Sequence, residues 1–189
     1  AFGEINEFEI QVKEVSGKFF ENDDFYLTAE SMIHVQPCNA YSFILKGKKR
    51  IDKSKLRKYK IKPGKHLQKL KQGKGISYQG KRYKAKDLTF SEKEKKVSFV
   101  LDTLMNNKIV GFAKNSDVLV CESTFSDELE NKAKEYKHLT STQAAGIAKK
   151  SKSKELYLVH VSQRYSRDNK KILNEAKKIF PRSQIPRDL

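Results

Sequence analysis

Three polar residues stand where a folded sheet could use them for chemistry. Asp102, Glu122 and His160 each follow a short apolar run, at 97–101, 118–120 and 156–159. In open α/β sheets, ligands bind outside the carboxyl ends of the strands. Carboxylate and imidazole are also the ligand types of a hydrolytic zinc site, where a carboxylate can bridge two ions. A single aspartate or histidine after a strand is ordinarily a turn or cap residue, but three after successive strands point to a site. His34 ends an earlier extended stretch and could approach the same edge. His138 precedes Leu139-Thr140 at a helix start, where an imidazole could bond the helix terminus or donate a proton near a phosphate. His66, the remaining histidine of four, sits among lysines and is given no catalytic role.

These residues need strands and helices to bring them together. Phe8, Ile10 and Val12 alternate with polar neighbours as in a half-buried strand. Asn22-Asp23-Asp24 predicts a turn, and further extended stretches are expected at 25–35 and 41–45, giving a meander. From residue 46 to 88 lysines recur every second or third position and apolar residues are sparse. Short helices near 54–59 and 66–71 and a hairpin over 76–83 turning at Gly80 suggest a basic protruding arm inserted in the domain. Tyr59, Tyr78 and Tyr83 lie among its lysines, suited either to stacking on bases or to forming the arm's own small core. Beyond residue 96, apolar runs alternate with helices: one near 108–114, one capped by Ser126, one capped by Thr140 or Ser141, and a last capped by Asp168 and stopped by Pro181. That alternation predicts an α/β fold with a mainly parallel, helix-covered sheet.

The 189 residues suit one domain, 1–189, with a real core. A formal charge of +17, from 40 Lys plus Arg against 23 Asp plus Glu, favours a polyanionic partner held with steep salt dependence. Cys38 and Cys121 have neither disulfide-framework nor zinc-knuckle spacing, which favours a reducing, cytoplasmic location. No apolar run approaches the roughly 20 residues that span a bilayer, so no membrane role is expected.

Five segments together resemble the ribonuclease Z family, tRNA 3′-processing endonucleases of the metallo-β-lactamase superfamily. His34-Val35-Gln36-Pro37-Cys38-Asn39-Ala40-Tyr41 is similar to a metal motif of that family. Ile61-Lys62-Pro63-Gly64 with Leu67-Gln68-Lys69-Leu70-Lys71-Gln72-Gly73 resembles its tRNA-gripping arm, and Val100-Leu101-Asp102-Thr103 the segment of its bridging aspartate. Cys121-Glu122-Ser123-Thr124 and His138-Leu139-Thr140 resemble the paired HEAT and HST loops. Val159-His160-Val161-Ser162-Gln163-Arg164-Tyr165 is similar to the motif of the last zinc-binding histidine.

The resemblance covers nearly the whole chain and implies an αββα metallo-β-lactamase-like sandwich. It implies two zinc ions, with His34 on one, His160 on the other and Asp102 bridging, and a leaving-group proton from His138 oriented by Glu122. Lys62, Lys65, Lys69, Lys71, Lys74 and Arg164 would contact precursor tRNA, often across a homodimer. The family's Ser-His-x-His-x-Asp-His motif, which supplies further ligands and the general base, is not in this sequence, and Cys121 replaces the HEAT histidine. The expectation is therefore the C-terminal part of such an enzyme, with an incomplete sandwich lacking its N-terminal sheet portion, no general base in this chain, and activity only beside a complementing N-terminal chain. Two other readings stay open: a non-catalytic tRNA- or RNA-binding module that keeps the arm, and a small-molecule hydrolase of the same superfamily.

Overall fold

The computed structural model describes residues 12–186. The strand expected through Phe8 and Ile10 lies outside them, and Val12 is exposed and in no strand. Three strands open the described chain as a meander: β1 (Gly17–Glu21), β2 (Phe25–Met32) and β3 (Cys38–Leu45). Asn22 makes the first turn, its side-chain oxygen accepting the amides of Asp24 and Phe25.

The segment after β3 folds around its own apolar cluster. It contains β4 (Lys49–Ile51), α1 (Lys53–Lys58), a 3₁₀ turn at Lys65–Leu67, α2 (Gln68–Lys71), the hairpin β5 (Ile76–Tyr78) and β6 (Lys81–Tyr83), α3 (Ala85–Leu88) and β7 (Thr89–Ser91). Asp52 caps α1 by accepting the amides of Ser54 and Lys55. Leu56, Ile61, Leu67, Leu70, Ile76 and Leu88 are buried together, with Tyr78 and Tyr83 against them. Those two tyrosines thus serve the local core, and Tyr59 packs its ring 5.4 Å from that of Tyr83.

The remaining elements are β8 (Lys95–Val100), α4 (Asn107–Phe112), β9 (Val118–Glu122), α5 (Glu130–Glu135), α6 (Ser141–Lys150), β10 (Glu155–Val159), α7 (Lys170–Ile179) and β11 (Ser183–Gln184). The large sheet runs β1-β2-β3-β8-β9-β10-β11. Only β8, β9, β10 and β11 pair in parallel; the β1/β2, β2/β3 and β3/β8 pairings are antiparallel. The sheet is therefore evenly mixed, not mainly parallel. The meander strands join by turns, which force antiparallel pairing, whereas helical crossovers link β8 to β11.

Thr140 caps α6 in a reciprocal box with Gln143. Ser126 does not cap as expected: its hydroxyl accepts from the Tyr165 phenol, and the helix ahead begins as a 3₁₀ turn without a side-chain cap. Asn169, not Asp168, occupies the cap position of α7, although the Asp168 carboxylate still accepts the Lys170 amide. One sheet face packs under these helices in a core that includes Val100, Ile109, Leu119, Ile147, Leu156, Leu158, Ile172 and Ala176. The side chains that alternate with these buried positions leave Tyr41, Phe43 and Leu45 of β3 and Phe99 of β8 exposed, in register as Tyr41 opposite Phe99.

Candidate metal centre

Because β8, β9 and β10 are adjacent and parallel, the residues at their carboxyl ends share one edge. Glu122 is the last residue of β9, His160 follows β10 directly, and Asp102 follows β8 by one residue. Asp102 and His160 both have left-handed backbones, at φ 49 and 53°. Such conformations are strained for non-glycine residues and persist only where the surroundings impose them. Two contacts fix Asp102: the Cys38 thiol donates to its carbonyl at 3.0 Å, and the next amide, of Thr103, donates to Glu122 Oε1. Burial, then the charges of Asp102 and Glu122, push the Cys38 thiol up, in keeping with its role as a protonated donor to the Asp102 carbonyl.

One ligand atom each from Asp102, His138 and His160 lie within 4.8 Å of one another. His34 stands beside this set, its ring 4.9 Å from that of His138. The loop carrying His34 is tied down on two sides. Ile33 donates its amide to Thr103 Oγ1 and accepts that of Leu104, while His34 and Lys137 bond reciprocally, Nδ1 to carbonyl at 3.1 Å and Nζ to carbonyl at 3.3 Å. His66 lies elsewhere, stacked on Tyr78 in the basic segment.

Glu122 organises the edge from behind. Its side chain has no solvent-exposed surface, and Oε2 accepts from Thr124 Oγ1, His138 Nδ1 and the Leu139 amide at 2.8, 3.0 and 3.0 Å. A nitrogen facing a carboxylate or carbonyl must carry a proton, so His138 and His34 both hold Nδ1–H and leave the Nε2 lone pair free. Asp102 Oδ1 is buried and accepts no hydrogen bond; it lies 3.2 Å from His160 Nδ1, within ion-pair range but at unsuitable angles for one. A buried carboxylate oxygen without a donor, beside imidazoles with free Nε2 atoms, suits a divalent cation of the zinc type.

Lys62, Lys65, Lys69, Lys71 and Lys74 are all exposed, and among the described residues none pairs with a carboxylate. Arg164 is near the candidate centre instead, its guanidinium 5.0 Å from the Phe125 ring, which lies 6.2 Å from that of His138. Sequence reasoning gave no role to Cys38, Thr103 or Thr124. Thr103 and Thr124 lie within two residues of Asp102 and Glu122, but Cys38 is 64 residues from Asp102 and carries no such signal.

No protein-family model matches the chain. It is 37% identical over 158 residues to a ribonuclease Z of Nanoarchaeum equitans and 34% identical over 170 residues to one of Saccharolobus solfataricus, covering 84% and 90% of this chain. The chain is a relative of ribonuclease Z. It spans only 50% and 57% of the length of those two proteins. Among solved structures, the metallo-β-lactamase fold protein YhfI from Bacillus subtilis superposes with a TM-score of 0.56 at 19% identity, covering 89% of this chain and 49% of that one. The fold is thus that of the metallo-β-lactamase proteins, as the resemblance to ribonuclease Z implied. No helix among the described residues is long and apolar enough to cross a membrane.

Proposed function

We propose that this chain supplies the C-terminal part of a zinc-dependent, cytoplasmic endoribonuclease that removes 3′ trailers from precursor tRNA. The observation that carries the reading is the cluster of Asp102, His138 and His160 on one sheet edge in a relative of ribonuclease Z. Asp102, His160 and His34 would hold the metal. Zinc bound there supplies Lewis acidity at the phosphate and a water of lowered pKa.

His138 fits proton delivery rather than ligation, since its Nε2 cannot carry a proton and bind a metal at once. With Nδ1–H held by Glu122, a second proton on Nε2 makes an imidazolium whose charge the buried carboxylate offsets. That proton passes to the ribose O3′ as its bond to phosphorus breaks and the attacking water oxygen bonds to phosphorus. The group that takes the water's proton belongs, on this reading, to the part of the relatives that this chain does not span. The exposed Tyr41, Phe43, Leu45 and Phe99 face supports the same division, since an apolar sheet face is ordinarily covered by a second layer.

Exposed lysines at 62, 65, 69, 71 and 74 would hold the tRNA body by its phosphates, presenting the acceptor end to a site on the other subunit of a homodimer. The test is cleavage of a tRNA bearing a 3′ trailer by the chain alone and with an N-terminal polypeptide carrying Ser-His-x-His-x-Asp-His. Tight zinc retention and cutting are expected only in the combination. Full-rate cutting by the chain alone overturns the ligand assignment. A second reading, a tRNA-binding module without chemistry, is favoured by the unpaired lysines. It predicts salt-sensitive tRNA binding indifferent to chelator and to Asp102→Ala.

A further inference from the structure

We propose that Thr124 is a positioning residue that fixes the tautomer of His160, so that the single buried carboxylate of Glu122 sets the proton position on two imidazoles of the donor set. The Thr124 hydroxyl lies 2.8 Å from Glu122 Oε2 and 3.0 Å from His160 Nδ1. A hydroxyl has one hydrogen and two lone pairs. Glu122 accepts from every neighbour it has here, so the hydrogen of Thr124 goes to Oε2. What remains toward His160 is a lone pair, which is satisfied only if Nδ1 carries the ring proton. The other polar atom near that nitrogen, Asp102 Oδ1, is also an acceptor and disfavours the reverse tautomer for the same reason.

His160 is therefore held as Nδ1–H with Nε2 bare, the same form that Glu122 imposes directly on His138. Thr124 is 7% exposed and Glu122 fully buried, so water does not compete for the bond between them, while the His160 side chain at the end of the relay is 49% exposed. Second partners of this kind orient metal-ligating imidazoles. The inference deepens the proposed metal site, but it stands on hydrogen bonds that are present without metal, substrate or a complementing chain.

The test is long-range ¹H–¹⁵N correlation of the histidine rings in the metal-free chain at about pH 8, above the ordinary histidine pKa. The wild-type His160 is expected as a single form, with Nδ1 protonated and Nε2 unprotonated. Thr124→Val keeps the side-chain shape, and the single form should be lost; Thr124→Ser should restore it. His138, bonded to Glu122 without the threonine, should keep its pattern in all three proteins, which separates tautomer control from local unfolding. A protonated Nε2 on wild-type His160, or an unchanged His160 in Thr124→Val, overturns the proposal. If Thr124→Val does not fold, the wild-type spectrum with Thr124→Ser still decides it. Loss of RNA cleavage in a reconstituted enzyme would leave this result untouched, so the two readings fail separately.

Discussion

His138 Nδ1 lies 3.0 Å from Oε2 of Glu122, a carboxylate with no exposed surface. Through its two oxygens the same side chain holds the amides of Thr103 and Leu139 and the Thr124 hydroxyl. The loops after β8 and β9 and the turn before α6 therefore share one anchor, and Asp102 and His138 sit on two of them.

Removing that anchor leaves several buried donors without an acceptor. Glu122→Ala is expected to destabilise the chain by roughly 3–5 kcal/mol, since breaking a buried charged network costs more than an average contact. The shift of the urea midpoint at unchanged slope measures it. A midpoint within error of wild type would mean that the loops are held by something else.

Asp117 offers a test of acid sensitivity away from the site. Burial pushes its carboxyl up, but the Lys154 ammonium and the Lys96 amide that bond it, with the charge of Lys95, more than offset that and hold it below the usual aspartate value. A lowered carboxylate pKa contributes stability that is present above the unfolded value and lost as pH falls through the folded one. Asp117→Asn should therefore lower the melting temperature at neutral pH, and the gap to wild type should close below the ordinary aspartate range. A gap that stays constant into strong acid would show that the charge is not responsible.

The basic segment has its own core, so it should loosen on its own. Leu70 is fully buried there, and Leu70→Ala is expected to cost about 2–5 kcal/mol. Hydrogen exchange should then lose protection at residues 53–88 while β8, β9 and β10 keep theirs. Equal loss in the large sheet would mean that the two cores unfold as one.

If the exposed lysines grip phosphates, Lys69→Ala and Lys71→Ala should weaken tRNA binding and each reduce the log–log salt slope by about 1. Weakened binding with an unchanged slope would argue for a folding effect instead of lost phosphate contacts.

Much of this was legible from residue types and spacing. Apolar runs ending in Asp102, Glu122 and His160 announced three strand ends, and Gly80 marked the hairpin between β5 and β6. The sheet's mixed character was not legible, because the pattern within a strand does not encode its neighbour's direction; that follows from whether a turn or a helix makes the connection. Ser126 reads as a cap locally, but the Tyr165 phenol arrives from 39 residues away and takes its hydroxyl. Thr124 and Cys38 are ordinary residues in sequence. Their roles depend on which atoms the fold places within 3 Å of them.

The central claim is that Asp102 and His160, with His34 beside them, form one cation seat against which His138 stands. Cobalt(II), a paramagnetic stand-in for zinc at imidazole and carboxylate ligands, can be titrated into the chain while the four histidine ring resonances are followed. Even weak binding at an incomplete shell should broaden His138 and His160 first, with His34 beside them, leave His66 sharp, and lose this selectivity in Asp102→Ala. Broadening of His66 to the same degree, or a response that Asp102→Ala does not alter, would contradict the account.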